Sequence, residues 1–329
     1  MDMINVNRFW QSYSEWFDNL TLCRKLIPLF LVISYWITIA IIHSAGFNQI
    51  SVGLLILVLF YTGAYSEKIG RFFLPFILVG IIYDAHKHFV AGLRSHIRVL
   101  EPYLYEKALF GINVNEQIMT PNEWIKNLYS PALDFVTGIF YLTFMIAFLA
   151  LAAYLYFIKT RSGTRVFNSE QLKARVPQIM WALFTVNMAG YLTYFLYPAA
   201  PPWYFDLYGS GPADLSAPPS AAGGLRFDAL LGLDIFKGMY SQNANVFGAI
   251  PSLHCAYPAL ISVYAFYFKS LRVISIVYFL GVAFSAVYLN HHYIIDVIAG
   301  AIYSLVIGSL FIFIWEIHFT KKKVQDRFF

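Results

Sequence analysis

The feature that most constrains the fold of this chain is a series of apolar runs about 17–25 residues long, the length a helix needs to cross a bilayer. These runs lie near residues 26–43, 50–66, 72–90, 133–158, 179–197, 253–269, 271–289 and 292–315. Of the 329 residues, 59% are hydrophobic and only 12% are charged, whereas soluble domains carry roughly 25% charged residues. The sequence therefore predicts an integral membrane protein of the all-α class, a polytopic bundle of about eight spans within a range of six to eight.

Positive residues predict the orientation of the spans, because short cytoplasmic loops carry an excess of Lys and Arg. Basic residues cluster in the 159–178 connection, in the 269–272 hairpin and after residue 319. An even number of spans places these clusters on the same side as both termini, which we predict to be cytoplasmic. The connections 91–132 and 198–252 then lie on the extracytoplasmic face. The mixture of Tyr, Trp and charged residues in 91–132 predicts interfacial helices there.

The same pattern divides the chain into three parts. We expect N-terminal spans and the interfacial segment over residues 1–132, a helical core over 133–318 and a basic cytoplasmic tail over 319–329. The two cysteines, Cys23 and Cys255, form neither a disulfide framework nor a metal motif.

Ionisable residues interrupt the last apolar run in "YLNHHYIID", residues 288–296, and an ionisable group at membrane depth indicates function by default. His292 and Asp296 are four residues apart, so on a helix they lie on one face. The carboxylate can then hold one imidazole N–H and leave the other nitrogen as nucleophile or base. His291 is rotated by about 100° and cannot share this partner. A helix that starts here would also favour an anion such as phosphate.

A second histidine lies at the start of the sixth run, in "IPSLHCAYP", residues 250–258. Pro251 and Ser252 are typical of a helix start, with Ser252 as a cap or a hydroxyl donor. His254 follows within the first turn and lies on the same membrane face as His292. Two histidines at one depth, one of them backed by an aspartate, predict a divided arrangement of nucleophile and acid/base.

These motifs carry a family resemblance. "PSLH" at 251–254 together with "SAVYLNHHYIID" at 285–296 resembles the second and third signature motifs of the type 2 phosphatidic acid phosphatase superfamily. Ala286 stands where the superfamily has an arginine, and no clear first motif precedes the 198–252 connection. "YPAAPPWYFDLYG" at 197–209, "GGLRFDALLG" at 223–232 and "VFGAIPSLH" at 246–254 resemble the inositol phosphorylceramide synthases and their bacterial relatives.

The resemblance implies a role for each matching residue. His292 would attack phosphorus and form a phosphohistidine, with Asp296 orienting it. His254 would protonate the departing alkoxide and then take a proton from the acceptor hydroxyl. No metal or other cofactor is required in this scheme. The candidates for substrate binding are Ser252 as a donor to phosphate, Arg226 and then Lys237 as its cationic partners, Trp203 and Tyr204 at a head-group site, and His291 beside it.

The resemblance implies a membrane phosphotransferase. It would move a phosphorylated head group, such as phosphoinositol, from a donor phospholipid to a lipid alcohol such as ceramide or dihydroceramide. Both partners are membrane lipids, no nucleic acid is involved, and the active site lies at the extracytoplasmic face. The alternatives are a lipid-phosphate phosphatase with water as acceptor, a transporter whose buried His and Asp relay protons, and a metal-dependent membrane hydrolase.

Alternatives also stand beside several residue assignments. His291 is a structural neighbour or a head-group contact, and Arg226 binds phosphate or pairs with Asp228 in the loop. Trp203 and Tyr204 shape a site or belong to an interfacial aromatic belt. The residues of "YDAHKHF", Asp84, His86 and His88, are interface residues or reach the same site.

Overall fold

The computed structural model describes residues 3–42, 46–93, 96–241 and 245–328, and the chain forms two compact units, Met1–Ile81 and Ile82–Phe329. The first unit contains α1 (Met3–Asp18), α2 (Leu22–Ile41), α3 (Phe47–Tyr61) and most of α4 (Ala64–Leu93). The second contains α5 (Leu100–Phe110), β1 (Ile112–Val114), β2 (Gln117–Met119), α6 (Pro121–Ile125), a 3₁₀ turn (Lys126–Leu128), α7 (Pro131–Ala153), a π-helical turn (Tyr154–Lys159), α8 (Thr160–Ser162), α9 (Ser169–Arg175), α10 (Gln178–Leu196), α11 (Pro202–Tyr208), α12 (Gly224–Leu231), α13 (Ile235–Tyr240), α14 (Leu253–Tyr267), α15 (Arg272–Tyr288) and α16 (Ile294–Phe328).

The predicted class is confirmed, because the described residues are mostly helical and several helices are apolar enough to cross a membrane. Among the described residues, five stretches have the length and composition of spans, namely Leu22–Ile41, Ala64–His86, Pro131–Ser162, Ser169–Leu196 and Ile294–Phe319. Three other predicted spans correspond to α3, α14 and α15, which have 15, 15 and 17 residues. These are at or below the lower limit of about 17 residues for a spanning helix, so the count of eight stays a prediction.

The first unit is held together by polar contacts near the ends of its helices. The Arg24 guanidinium at the start of α2 donates through Nε and Nη2 to the buried Glu67 carboxylate of α4, with a shortest distance of 2.6 Å. Tyr61 at the end of α3 donates to the carbonyl of Lys25 at 2.5 Å. These contacts fix α2, α3 and α4 to one another.

In the second unit, α14 is the central helix and packs against α16, α15, α7 and α10. Helices α7, α14 and α16 begin, and α10 and α15 end, at the same end of this bundle. At the opposite end Arg175 makes two bonds to Glu316, at 2.6 and 2.9 Å, and Tyr267 also donates to Glu316. The basic 159–178 and 269–272 connections lie at that opposite end.

Small residues on α16 allow it to approach α14 closely. A Cβ added to Gly300 would lie 2.2 Å from the carbonyl oxygen of Ser252, and one added to Gly308 would lie 2.9 Å from Leu260. Between them, the Ser304 hydroxyl donates to the carbonyl of Ala256 at 2.6 Å. Small and hydroxyl residues one turn apart are the usual means of close helix contact in membranes. This contact fixes the start of α14 against the start of α16.

The 91–132 segment contains α5 and α6, in agreement with the prediction of helices, and also a hairpin that we did not predict. Strands β1 and β2 pair through three residues each, and their turn residues Asn115 and Glu116 have φ of 49° and 67°. Positive φ at both central residues is typical of a two-residue hairpin turn. Strands this short leave no alternating pattern in the sequence, which is why the hairpin was missed.

We predict that Gly300→Ala lowers the free energy of unfolding by about 1–3 kcal/mol, because the added methyl must displace α14 from α16. Gly238→Ala in α13 is the matched control, since a Cβ there meets no atom within 4 Å. Denaturant titration in detergent micelles measures both variants. Equal stability of Gly300→Ala and the wild-type protein would contradict the close approach.

Candidate active site

The structure brings together the three predicted catalytic residues. The Nδ1 atom of His292 lies 3.4 Å from Oδ2 of Asp296, and its Nε2 atom lies 3.4 Å from Nδ1 of His254. Asp296 is fully buried in the first turn of α16, and His254 lies in the first turn of α14. The three side chains therefore form a line of carboxylate, imidazole and imidazole, which we call the catalytic line.

His292 reaches Asp296 from a turn and not from the helix that we predicted. Residues 289–293 connect α15 to α16, and we call them the catalytic turn. The backbone N–H groups of His291 and His292 both donate to the carbonyl of Ala286, at 3.0 and 3.1 Å, which delays the start of α16 until Ile294. Asn290 has φ of 61°, a left-handed conformation that asparagine tolerates.

Glu106 is the principal residue that sequence reasoning missed. Its fully buried carboxylate, on α5, accepts the N–H groups of Ile294 at 2.9 Å and Ile295 at 3.1 Å. The helix start that we expected to attract phosphate is therefore occupied by a carboxylate of this chain. Burial raises the pKa of Glu106 to about 7; the two N–H groups lower it, and the charge of Asp296 raises it.

Asn122 of α6 was also missed, and it holds the catalytic turn from the side. Its buried amide lies within hydrogen-bonding distance of the carbonyl of Val287 at 3.2 Å, the carbonyl of His292 at 3.0 Å and Oδ1 of Asn290 at 3.3 Å. Asn290 in turn donates to Asp206 at 2.7 Å. The "TPNE" capping box predicts where α6 begins, but no local signal marks what Asn122 contacts.

The backbone of "YPAAPPWYFDLYG" and the backbone of "GGLRFDALLG" also contact this turn. The N–H of Trp203 donates to the carbonyl of Asn290 at 3.2 Å, and the N–H of Gly223 donates to the carbonyl of Leu289 at 2.8 Å. A Cβ on Gly223 would lie 2.8 Å from Leu289, which accounts for glycine at this position. The side chains of Trp203 and Tyr204 are 5% and 1% exposed, so they do not form a lipid-facing aromatic belt.

Ser252 caps α14 beside the catalytic line. Its Oγ accepts the N–H of Cys255 at 3.3 Å, and its own N–H donates to the carbonyl of Asp296 at 3.0 Å. A hydroxyl that accepts one bond still has its proton to donate. The predicted contact with a phosphate oxygen thus remains compatible with the cap.

Arg226 does not pair with Asp228. Its Nε binds Asp134 of α7 at 2.7 Å, and its guanidinium lies over the ring of Tyr129 at 3.6 Å. Residues two apart on a helix point in different directions, and Asp228 instead accepts the N–H groups of Phe236 and Lys237 at 3.0 and 2.9 Å.

Arg226 nevertheless lies beside the catalytic turn, because its Nη2 reaches the carbonyl of Tyr288 at 3.4 Å. The side chain of Lys237 is exposed and pairs with Asp234 at 3.3 Å. Arg226 is therefore the better placed of the two predicted phosphate partners.

His291 is packed between two aromatic rings. Its ring is stacked at 4.5 Å from Tyr240 and 5.0 Å from Tyr141, both at 11°. Tyr141 also stacks on His254 at 4.5 Å. This position favours the structural interpretation of His291, and the head-group contact stays a prediction.

His86 is buried against α10 rather than exposed at an interface. Its ring lies 4.7 Å from Phe195 and 5.7 Å from Tyr191, and its Nε2 lies 3.5 Å from the amide of Asn245. Asp84 is half-buried and His88 is exposed. Within the described residues, no three His, Cys, Asp or Glu side chains are grouped as a metal site.

Comparison with known proteins agrees with this geometry. A family model described as PAP2 superfamily matches residues 118–310, which include the catalytic line, Asn122 and Arg226. The chain belongs to the PAP2 superfamily. Within the PAP2 superfamily, the chain is 37% identical over 261 residues to the phosphoinositol dihydroceramide synthase of Bacteroides thetaiotaomicron, covering 78% of this chain and 81% of the relative. The predicted superfamily and its branch are confirmed.

Two fungal proteins match a shorter part of the chain. The inositol phosphorylceramide synthase catalytic subunit of Saccharomyces cerevisiae is 37% identical over 123 residues, 37% of this chain and 31% of the relative. The inositol phosphorylceramide synthase of Candida albicans is 38% identical over 125 residues, 37% of this chain and 26% of the relative. No solved structure matches this chain.

We predict that Asn122→Ala lowers the free energy of unfolding by about 1–3 kcal/mol, because it removes the side-chain donor to the buried carbonyl of His292. Asn127→Ala is the control: its amide donates to the carbonyl of Trp124 at 3.0 Å on the exposed surface, and its loss should cost within about 0.5 kcal/mol. Denaturant titration compares the two. Similar values for both variants would show that the catalytic turn does not depend on Asn122.

Proposed function

We propose that this protein is a membrane phosphotransferase that moves phosphoinositol from a donor phospholipid to ceramide or dihydroceramide. The proposal rests mainly on the line of Asp296, His292 and His254, in which each ring nitrogen of His292 lies 3.4 Å from an atom of its neighbour. The relative that matches 78% of this chain is named a phosphoinositol dihydroceramide synthase, which supports the choice of head group and acceptor.

In the first half-reaction, Nε2 of His292 attacks phosphorus and forms an N–P bond while the bond from phosphorus to the lipid oxygen breaks. His254 gives its proton to that oxygen, so a neutral diacylglycerol leaves. Asp296 holds Nδ1–H of His292 and stabilises the positive charge that develops on the imidazole. In the second half, His254 takes the proton of the acceptor hydroxyl, whose oxygen attacks phosphorus and releases His292.

The geometry adds a requirement to this scheme. A separation of 3.4 Å between His292 Nε2 and His254 Nδ1 is a hydrogen-bonding distance and leaves no room for a phosphoryl group between them. Substrate binding must therefore move the two rings apart. Tyr141 and Phe144, which lie 4.5 and 4.6 Å from the His254 ring, are the side chains that would have to accommodate this movement.

The phosphate charge needs donors other than the start of α16, which Glu106 occupies. Arg226 is held by Asp134 and by stacking on Tyr129, so its orientation is fixed before substrate binds. Fixed donors stabilise developing charge without reorganisation. We assign phosphate binding to Arg226 and to the hydroxyl of Ser252.

The proposal includes the topology. We propose eight spans, cytoplasmic termini and an extracytoplasmic active site, with a PAP2-like core over 133–318 between the N-terminal part (1–132) and the tail (319–329). Its support is the second unit, where the catalytic line lies at one end of the helices and the basic 159–178 and 269–272 connections lie at the other. The positive-inside rule makes the basic end cytoplasmic.

We expect the purified protein, given phosphatidylinositol labelled in the inositol ring together with ceramide, to produce a labelled sphingolipid. Thin-layer chromatography separates this product from labelled inositol phosphate in the aqueous phase. Omission of ceramide is the control. Label that appears only as inositol phosphate, at the same rate with and without ceramide, would identify water as the acceptor and contradict the transferase.

We predict that His292→Ala lowers kcat by about 10⁶-fold, as loss of a nucleophile does, and that Asp296→Asn lowers kcat by about 10²–10⁴-fold, as loss of the group that orients a catalytic histidine does. His318→Ala, an exposed histidine on α16, should retain wild-type activity. Rapid quenching with phosphate-labelled donor should leave an acid-labile phosphohistidine on wild-type protein and none on His292→Ala. An unchanged phosphohistidine signal in His292→Ala would show that His292 is not the nucleophile.

A further inference from the structure

Three successive backbone N–H groups at the start of α16 end on buried carboxylates. Tyr293 donates to Oδ2 of Asp296 at 2.9 Å, and Ile294 and Ile295 donate to the two oxygens of Glu106 at 2.9 and 3.1 Å. The N–H of Tyr293 is bound by a residue of the same helix start. The N–H groups of Ile294 and Ile295 are bound by Glu106 of α5, which lies 188 residues before Ile294 in the sequence. The start of α16 is thus capped by a side chain from another helix.

This cap acts on the part of α16 that orients the catalytic line. Asp296 lies one residue after Ile295, and its carbonyl accepts the N–H of Ser252 at 3.0 Å. A rotation of this first turn would move the Asp296 carboxylate away from His292 and would change the contact with α14 at the same time. The hold of Glu106 on two adjacent N–H groups opposes such a rotation, because both bonds are charge-assisted and directional.

We infer that Glu106 is a positioning residue for phosphoryl transfer, which holds the first turn of α16 so that Asp296 meets His292 and His292 meets His254. This inference rests on the proposed function for its kinetic consequences. Glu106 also excludes the substrate phosphate from the helix start, since the carboxylate already occupies the donors there. The phosphate is thereby left to the Arg226 side of the catalytic turn.

The hold of Glu106 depends on its ionisation. The pKa of about 7 means that the carboxyl group gains a proton as the pH falls through neutrality, and a protonated oxygen is a weaker acceptor for Ile295. Asp296 on α16, Glu123 on α6 and Asp206 on α11 are carboxylates on the elements packed against α5, and each of them, like Glu106, raises the pKa of the Tyr293 phenol through its charge.

Activity and stability should respond to pH in opposite directions. The folded pKa of about 7 exceeds the unfolded value of 4.5, so the contribution of Glu106 to stability is greatest below pH 4.5 and is lost as the pH rises through 7. Transfer activity, in contrast, should rise through the same window, because the ionised carboxylate accepts both N–H groups.

The test compares Glu106→Gln with Glu101→Gln, the same substitution at a half-buried position in the first turn of the same helix. Glutamine fits the space but offers one acceptor where two are needed. We expect kcat of Glu106→Gln to fall about tenfold with KM within about twofold, the pattern for a group that acts on the transition state. The pH profile of its kcat should also lack the rise near pH 7 that the wild-type protein and Glu101→Gln show.

Amide hydrogen exchange separates this inference from the proposed function. Exchange at Ile294 and Ile295 should be faster in Glu106→Gln than in wild type and unchanged in Glu101→Gln, whichever reaction the enzyme catalyses. Wild-type exchange, kcat and pH profile in Glu106→Gln would overturn the inference. If the wild-type protein forms no sphingolipid product but exchange is faster in Glu106→Gln, the proposed function is overturned. The binding of Glu106 to the start of α16 is then still supported.

Discussion

The structure depends on satisfying the backbone of the catalytic turn, residues 289–293, inside an apolar unit. An unpaired buried N–H or C=O group costs as much as a lost hydrogen bond, and a turn leaves several of them. Here Gly223, Trp203 and Asn122 donate to carbonyl groups of the turn, and Glu106 accepts from the helix that follows it. Each partner comes from a different stretch of the chain, so the site forms only when those stretches close around the turn.

This constraint divides the work between two parts of the second unit. The close contact between α14 and α16, through Gly300 and Ser304, sets the distance between His254 and His292. Elements outside this pair, namely α5, α6, α11 and α12, hold the turn and supply Arg226.

The sequence was sufficient to predict which side chains form the line of Asp296, His292 and His254, but not which residues hold them in place. His254, His292 and Asp296 were identifiable because their spacing is local and their polarity contrasts with apolar surroundings. Glu106 was not, since its partners are backbone N–H groups, which no residue type marks. Asp134 was missed as the partner of Arg226 because 92 residues separate them. The short helices α3 and α14 likewise show that apolar length overestimates helix length where an apolar run continues into a loop.

In the proposed reaction, an incoming phosphoryl group meets His292 between His254 and Arg226, while the Glu106 carboxylate stays bound to the N–H groups at the start of α16. A structure of the protein with orthovanadate, an analogue of the phosphoryl group in transfer, tests it most directly, since such analogues bind where the transition state forms. We expect vanadium bonded to Nε2 of His292, the His254 ring displaced from that atom, and the Glu106 carboxylate still bound to the N–H groups of Ile294 and Ile295. Vanadate bound to those two N–H groups in place of Glu106, away from His292, would contradict it.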